Sequence, residues 1–470
     1  MMWKFDEFSG NAAIIDELGE KTTYAGLQAA SEALISQMSG RSLVFNLCAN
    51  EKGSLLGYAA FINGGIVPVM LDTALERGLL DALIESYKPD YLWLPQHMAG
   101  DFSEYREICS VWNYSLLKTP YDRVFPLYKE LALLLTTSGS TGSPKLVRQS
   151  YANINANIES IVDYLQLDAT ERPITTLPMS YTYGLSIINS HLRVGASVIL
   201  TQKTLMQKEF WQQFKDCEAT SLSGVPYIYE MLEKLRFFRM ELPSLRTMTQ
   251  AGGKLSPALH KKFAEYAQAT DKRFIVMYGQ TEATARMSYL PAEKSLEKYG
   301  SMGIAIPGGE FHLINVDGNE IAEPDVIGEL VYKGANVTLG YAESGADLIN
   351  GDERGGVLVT GDMAKRDTDG FYYIVGRKKR FLKIFGSRVN LDETERMLNS
   401  GFPDFECACG GVDDKMAVFI TDAGASDKVI RFLTEKTGFN QAAFKIVAVN
   451  KIPRNEAGKI QYSELDKTND

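Results

Sequence analysis

The run from Leu131 to Ser150, LALLLTTSGSTGSPKLVRQS, constrains the chain more than any other stretch. Its aliphatic beginning reads as a buried strand, its middle is a loop of small residues, and LVRQS leaves as a second strand. Gly139 and Gly142 permit backbone conformations that other residues resist, so several main-chain N–H groups can converge on an anion. Thr137, Ser138, Ser140, Thr141 and Ser143 add hydroxyl donors, and Lys145 adds a mobile positive charge. Such a loop suits a polyphosphate. It is not a GxxxxGK[ST] loop, because Pro144 biases Ser143 away from helical geometry and a strand follows where that motif opens a helix. Taken alone, the stretch also fits an ordinary polar hairpin loop.

With 470 residues, 45% of them hydrophobic and 23% charged, the chain has material for more than one globular domain. Its 49 basic and 59 acidic residues give a net charge of -10, which disfavours nucleic acid or anionic lipid as a partner. Cys48, Cys109, Cys217, Cys407 and Cys409 form no CxxC pair, so neither a zinc site nor a disulfide framework is expected. MMWKFDEFSGN carries charges where a signal peptide needs an apolar core, and no apolar run reaches membrane-spanning length. A cytoplasmic protein without membrane insertion is the expectation. The four histidines show no HExxH spacing and no GxSxG elbow is present, which removes most support for hydrolase and metalloprotease readings.

Along the chain, Thr23 caps an expected helix through about Met38, with Leu27, Ala30, Leu34, Ile35 and Met38 at helical spacing. SLVFNLCAN reads as a strand, Ser54 to Ala60 as helix, and the run from Gly64 to Val69 as a turn into a buried strand. The alternation continues through YLWLP, a helix from Asn153 to about Leu165, and the strands PITTLP and ASVIL, which implies parallel βαβ units in two α/β layers. After Gly300 the texture changes to short strands with turn signals, among them a hairpin at Asp317 and Gly318, so a small β-rich subdomain is expected to about residue 375. Beyond GRKKR, helix and strand mix in a small α+β domain. The expected architecture is therefore α/β, with a large N-terminal domain over 1–378 and a small C-terminal one over 379–470.

Five stretches decide what the loop alone leaves open: TTSGSTGSPK, YGQTEAT at Tyr278 to Thr284, TGD at Thr360 to Asp362, GRKKRFLKIFGSRVN at Gly376 to Asn390, and PRNEAGK at Pro453 to Lys459. In this order and spacing they resemble the adenylate-forming superfamily of acyl-CoA synthetases, nonribosomal-peptide adenylation domains and luciferases. TTYAGL near the start and SLRTMTQAGGKL, with Gly252 and Gly253, are weaker echoes of the same pattern. The resemblance implies that a carboxylate attacks the α-phosphate of ATP to form acyl-AMP and pyrophosphate, and that a thiol of coenzyme A or of a carrier protein's phosphopantetheine then takes the acyl group. An adenylation enzyme with a non-thiol acceptor and a non-catalytic nucleotide-binding protein are the alternatives.

For that chemistry the resemblance assigns roles residue by residue. The loop with Lys145 stabilises the departing pyrophosphate. Glu282 holds Mg²⁺ with one carboxylate while phosphates and waters supply the rest. Thr281 places a hydroxyl on the α-phosphate and Tyr278, followed by Gly279 and Gln280, a flat face against adenine. Asp362 accepts the ribose hydroxyls, Arg377 lies near ribose and phosphate, and Lys379 is the hinge of a mobile small domain. Lys378 and Arg380 read as a solvated basic face or a weak attraction to the CoA phosphates. Lys459 bridges the substrate carboxylate and the α-phosphate, and Gly386 lets a pantetheine arm pass close to the backbone.

Tyr181, in LPMSYTYGL, stands where acyl-CoA synthetases often have histidine, and ECACGGVDDKMAVFIT is short for a CoA ligase. Amino-acid-activating relatives carry an aspartate after the LP turn, whereas Leu177 to Leu192 contains no carboxylate. An unpaired ammonium would be expensive to bury, so the expected acid lacks an α-amino group. It is bounded by Tyr181, Tyr183, Gly184, Ser223, Gly224, Val225 and Tyr227, and the tyrosines with Ser186 and Asn189 favour an aromatic or short, partly polar acyl group.

Overall fold

The computed structural model describes residues 2–136, 145–385, 387–454 and 460–467, with the side chains of Lys379, Ser387, Arg388, Ser463 and Asp466 left aside. The chain divides into two compact units. The first takes the residues up to Glu310 together with Tyr332–Leu358, and the second takes Phe311–Val331 and Val359 onward.

Among the described residues, the first unit holds two large sheets. One has eight strands in the order Gly340–Ala342, Leu146–Ser150, Leu131–Thr136, Val67–Asp72, Leu43–Cys48, Tyr91–Pro95, Tyr114–Lys118 and Arg106–Val111. Its centre is parallel, Val67–Asp72 pairing with Leu43–Cys48 and with Leu131–Thr136, while Leu131–Thr136 and Leu146–Ser150 run antiparallel. The other has nine, and Arg273–Tyr278, Thr247–Gln250, Ser221–Gly224, Pro173–Ile174, Val198–Ile199 and Ala12–Ile15 form its parallel run.

Several elements begin where local chemistry demands. The Thr23 hydroxyl accepts from the Gly26 N–H and starts helix Tyr24–Ile35, a cap that contributes about 1 kcal/mol. Ser150 and Asn153 form a reciprocal capping box that starts helix Tyr151–Leu165 two residues earlier than spacing suggests. The expected Ser54–Ala60 helix extends over Lys52–Gly64 and stops at Gly65, whose φ of +76° is the left-handed cap before strand Val67–Asp72. PITTLP and ASVIL shrink to the two-residue strands Pro173–Ile174 and Val198–Ile199. Their aliphatic character reflects burial more than pairing.

A four-stranded sheet is formed by Gly309–Ile314, Gly328–Gly334, Val357–Arg366 and Tyr372–Arg377, most of whose residues belong to the second unit. The hairpin turn lies at Asp317 and Gly318 as expected, Gly318 at φ +82°. The β-rich subdomain is not continuous to residue 375, however. Gly340–Ala342 leaves it to pair with Leu146–Ser150, because Arg148 and the Leu339 N–H tie that segment to the eight-stranded sheet. Further along, Cys407–Val412, Lys415–Ile420 and Phe444–Ala448 make a three-stranded sheet with helices Leu391–Gly401 and Ser426–Thr437. Val418, Ile420, Val429 and Leu433 are fully buried there, each contributing about 1.5–3 kcal/mol of apolar burial. All five cysteines are free, and among the described residues no helix is long and apolar enough to cross a membrane.

Candidate active site

Lys145 directly precedes strand Leu146–Ser150, and its ammonium lies 3.9 Å from the centre of the Tyr341 ring and 3.5 Å from Glu343. The guanidinium of Arg354 lies over the same ring at 4.7 Å. Tyr341 in turn donates its hydroxyl to Oε1 of Glu282 at 2.7 Å. Burial, and then the Glu282 charge, push the Tyr341 phenol up to about 12, so at neutral pH it remains a donor. Oε2 of Glu282 accepts no hydrogen bond among the described residues.

The backbone around this cluster is tied from several directions. Thr338 donates to the Glu282 carbonyl through both N–H and hydroxyl at 3.0 Å, and Arg354 donates to it at 3.2 Å. Arg148, fully buried, donates to the carbonyls of Tyr341, Gly351 and Leu339 and to Glu353 at 2.7 Å. Gly340 is required beside it: its φ is +132°, and a β-carbon would lie 2.3 Å from the Glu353 carboxylate.

Glu282 belongs to a short 3-10 turn, Thr281–Ala283, that follows strand Arg273–Tyr278. Tyr278, Gly279, Gln280 and Thr281 are all half-buried at this strand end, and Gln280 donates to the Tyr278 hydroxyl at 3.1 Å. The segment closes on itself. A β-carbon on Gly279 would fall 1.6 Å from the Ala285 carbonyl oxygen, the Ala285 N–H donates back to Gln280, and Thr284 and Ala285 have φ of +53° and +87°. Buried Asn336 and Asn157 donate to the Arg286 carbonyl, and Asn336 also to that of Ala283.

Most of the residues expected to bound the acid gather nearby in the same unit. Tyr181 precedes helix Thr182–Arg193, and its hydroxyl lies where a β-carbon on Gly252 would come within 2.7 Å. Tyr183 is buried and shares a hydrogen bond with the Thr249 hydroxyl at 2.8 Å, which Ser223 also contacts at 2.8 Å. Gly184 passes so close to Pro178 that a β-carbon would sit 2.3 Å from its carbonyl oxygen. Gly224 and Val225 run into helix Pro226–Lys234, and Gly253 lies at the end of the Gln250 side chain. Tyr227 stands apart, 49% exposed on that helix.

Two side chains that sequence reasoning did not single out belong to this neighbourhood. Tyr341 is one. Arg286 is the other: it is buried, donates to the Ser186 hydroxyl at 3.1 Å and the Tyr164 hydroxyl at 3.0 Å, and lies 5.3 Å from the Tyr183 ring centre. A lone arginine inside the small and apolar run ATARMSYL was the available signal.

Within the second unit, Asp362 and Arg377 face each other across adjacent strands and pair at 2.8 Å, Asp362 buried and Arg377 exposed. Lys378 pairs with Glu329 at 2.6 Å. Arg380 is not a solvated basic residue: only 12% of its side chain is exposed, it pairs with Asp392 and Glu395, and it lies 3.7 Å from the Tyr462 ring centre. Lys379 falls in the 3-10 turn Lys378–Arg380. Thr137, Ser138, Gly139, Ser140, Thr141, Gly142, Gly386 and Lys459 lie outside the described residues.

A cluster of three or more metal-ligating side chains is absent among the described residues. A magnesium ion does not need such a cluster, since one carboxylate with phosphate oxygens and water can complete its coordination. Glu282 has the chemistry for it: one oxygen accepts from Tyr341, and the other accepts from no donor among the described residues.

Residues 3–342 match the family model described as AMP-binding enzyme. Peroxisomal OPC-8:0-CoA ligase 1 of Arabidopsis thaliana is 28% identical over 72% of this chain and 64% of its own length, so the chain spans under two thirds of that relative. The 2-succinylbenzoate–CoA ligase of Bacillus licheniformis is 27% identical over 89% of this chain and 88% of its own. The O-succinylbenzoate coenzyme A synthetase of Bacillus subtilis, solved with ATP and magnesium ion, has the same fold, with a TM-score of 0.77 at 23% identity over 97% of this chain and 96% of that one. With most of its length matched by the family model and its motifs in the family's order, the chain belongs to the AMP-binding, adenylate-forming enzymes.

Proposed function

We propose that this protein is an AMP-forming acid–thiol ligase: it joins a carboxylic acid without an α-amino group to ATP as acyl-AMP and passes the acyl group to coenzyme A or to an acyl carrier protein. The observation that carries this reading is the cluster in which Tyr341 orients the Glu282 carboxylate while Lys145 and Arg354 lie over the same ring. It provides a carboxylate for a hard cation and two positive charges for phosphate oxygens. The CoA ligases among its relatives support the thiol step.

In this reading Glu282 would hold Mg²⁺, which when bound neutralises phosphate charge. Lys145 and the loop before it stabilise departing pyrophosphate, Thr281 binds the α-phosphate, and Tyr278 covers adenine. Asp362, buried with its carboxylate already oriented by Arg377, accepts the ribose hydroxyls. Lys459 brings carboxylate and α-phosphate together. Residues 379–470 turn about Lys379 between the two half-reactions, and Gly386 admits the pantetheine arm in the second. A cytoplasmic location accords with the charge balance and free cysteines.

Carboxylate-dependent pyrophosphate release, followed by thioester formation with CoA or a carrier protein, tests the whole reading. No release with any acid in a broad panel would refute it. Lys459→Ala is expected to lose acyl-AMP formation yet convert supplied acyl-AMP, while Gly386→Leu and Lys379→Pro do the reverse. Equal loss of both half-reactions in Lys459→Ala would remove the domain rotation from the mechanism.

A further inference from the structure

Arg286 is 2% exposed, and a guanidinium that deep is ordinarily matched by a carboxylate, because desolvating it alone costs several kcal/mol. Arg148, the other deeply buried arginine of this region, has Glu353 at 2.7 Å. Around Arg286 no Asp or Glu comes within ion-pair distance among the described residues. Its neighbours are neutral: the Ser186 and Tyr164 hydroxyls, the Met277 sulfur at 3.5 Å, and the face of Tyr183. A desolvated cation–π contact offsets about 2 kcal/mol, less than the cost of burying the charge. Its Nη2 donates to nothing among the described residues, and it is not one of the sealed orphan atoms, as Nε2 of buried His191 is.

The place is as informative as the missing charge. Ser186 lies one turn into helix Thr182–Arg193, past Tyr181 and Tyr183, so the guanidinium reaches the inner part of the expected acyl pocket. Tyr183, Val225, Met277 and Ile187 form the apolar cluster there, with Tyr181 and Tyr164 packed on it. Arg286 also follows Glu282 by four residues, so one short segment offers a carboxylate to the phosphates and a guanidinium to the acid. The anion it meets is poorly suited to be the reacting carboxylate. A carboxylate bound to a buried guanidinium has its lone pairs drawn to the N–H donors and its charge neutralised, which opposes attack on phosphorus.

We propose that the acid activated here carries a second carboxylate, and that Arg286 binds it. The proposal rests on the acid-activating reading above and adds the substrate class. The experiment compares kcat/KM for pyrophosphate release over matched mono- and dicarboxylic acids, linear and aromatic, in the wild type, Arg286→Gln and Arg286→Lys. Calorimetric titration of each diacid without ATP runs beside it. Wild type should favour a diacid over its monoacid by about a hundredfold or more, as expected of a site whose buried polar group is otherwise left unpaired. Arg286→Gln should lose about a hundredfold on the diacid and under about threefold on the monoacid, with Arg286→Lys in between. Equal losses on both acids in Arg286→Gln, a wild-type preference for monoacids, or no diacid bound would each overturn the proposal. Diacid binding that depends on Arg286 without pyrophosphate release with any acid would keep the site and refute the activity. Turnover of monoacids alone would do the opposite.

Discussion

Two regions on either side of the segment from Tyr278 to Arg286 treat positive charge differently. On the phosphate side, Lys145 has Glu343 at 3.5 Å, Arg148 has Glu353, and Tyr341 lies beneath both Lys145 and Arg354 while donating to Glu282. On the acyl side, Arg286 has hydroxyls, a sulfur and a ring. In the first arrangement Lys145 and Arg148 already have carboxylate partners before any ligand arrives, and half-buried Lys145 can transfer from Glu343 to a polyphosphate that enters. The second leaves one charge for the substrate to meet, which ties affinity to the kind of acid. On the proposed function, generality toward the nucleotide and selectivity toward the acid have separate electrostatic origins.

The comparison breaks if variants on the phosphate side discriminate among acids. Glu282→Ala should lower pyrophosphate release by at least about a thousandfold with every acid, the fold unchanged by circular dichroism. A near-normal rate would show that the metal is held elsewhere. Lys145→Ala should cost about ten- to a thousandfold, again alike for all acids in the panel, since the main-chain donors expected in the preceding loop remain. Tyr341→Phe keeps the ring but frees Glu282. About tenfold more Mg²⁺ should then be needed for half-maximal rate, with kcat at saturating Mg²⁺ nearly retained. A change in KM for the acid instead would assign Tyr341 to the other side.

The smallest effect concerns pH on the acyl side. Burial disfavours the imidazolium of His191, with the nearby Arg286 charge adding to it, so its value falls to about 4 from the usual 6.5. The unfolded chain therefore takes up a proton first as pH drops. Stability from this group is complete above about 6.5 and is lost toward 4, about 1 kcal/mol of it by pH 5.5. Urea denaturation at pH 7.5 and 5.5 should show that difference narrowed in His191→Asn. An unchanged difference would mean that other groups, such as buried His260, carry the acid sensitivity.

Much of this was legible in the sequence because the chemistry is local there. YGQTEAT places Tyr278, Thr281 and Glu282 on one strand end, and TGD with GR brings Asp362 and Arg377 to facing positions on adjacent strands. What escaped depends on contacts across long separations. Tyr341 meets Glu282 from 59 residues away, and nothing in GANVTLGY marks its hydroxyl as a partner of a carboxylate. Arg380 looked like one of a row of solvated basic residues because GRKKR gives no sign that the Asp392 and Glu395 carboxylates pair with its guanidinium. PITTLP and ASVIL looked like full strands because aliphatic runs report burial whether or not their backbones pair.

The closure of Gly279 onto the Ala285 carbonyl has a consequence for how such enzymes diversify. With no room for a β-carbon at one end and a left-handed Ala285 at the other, the segment tolerates neither insertion nor deletion without separating Glu282 from its supports. On the proposed role of Arg286, a change of acid is then expected to act through the side chain at position 286 and not through its distance from Glu282. Homologues that differ in the acid they accept are expected to keep this loop length and to differ at that one position.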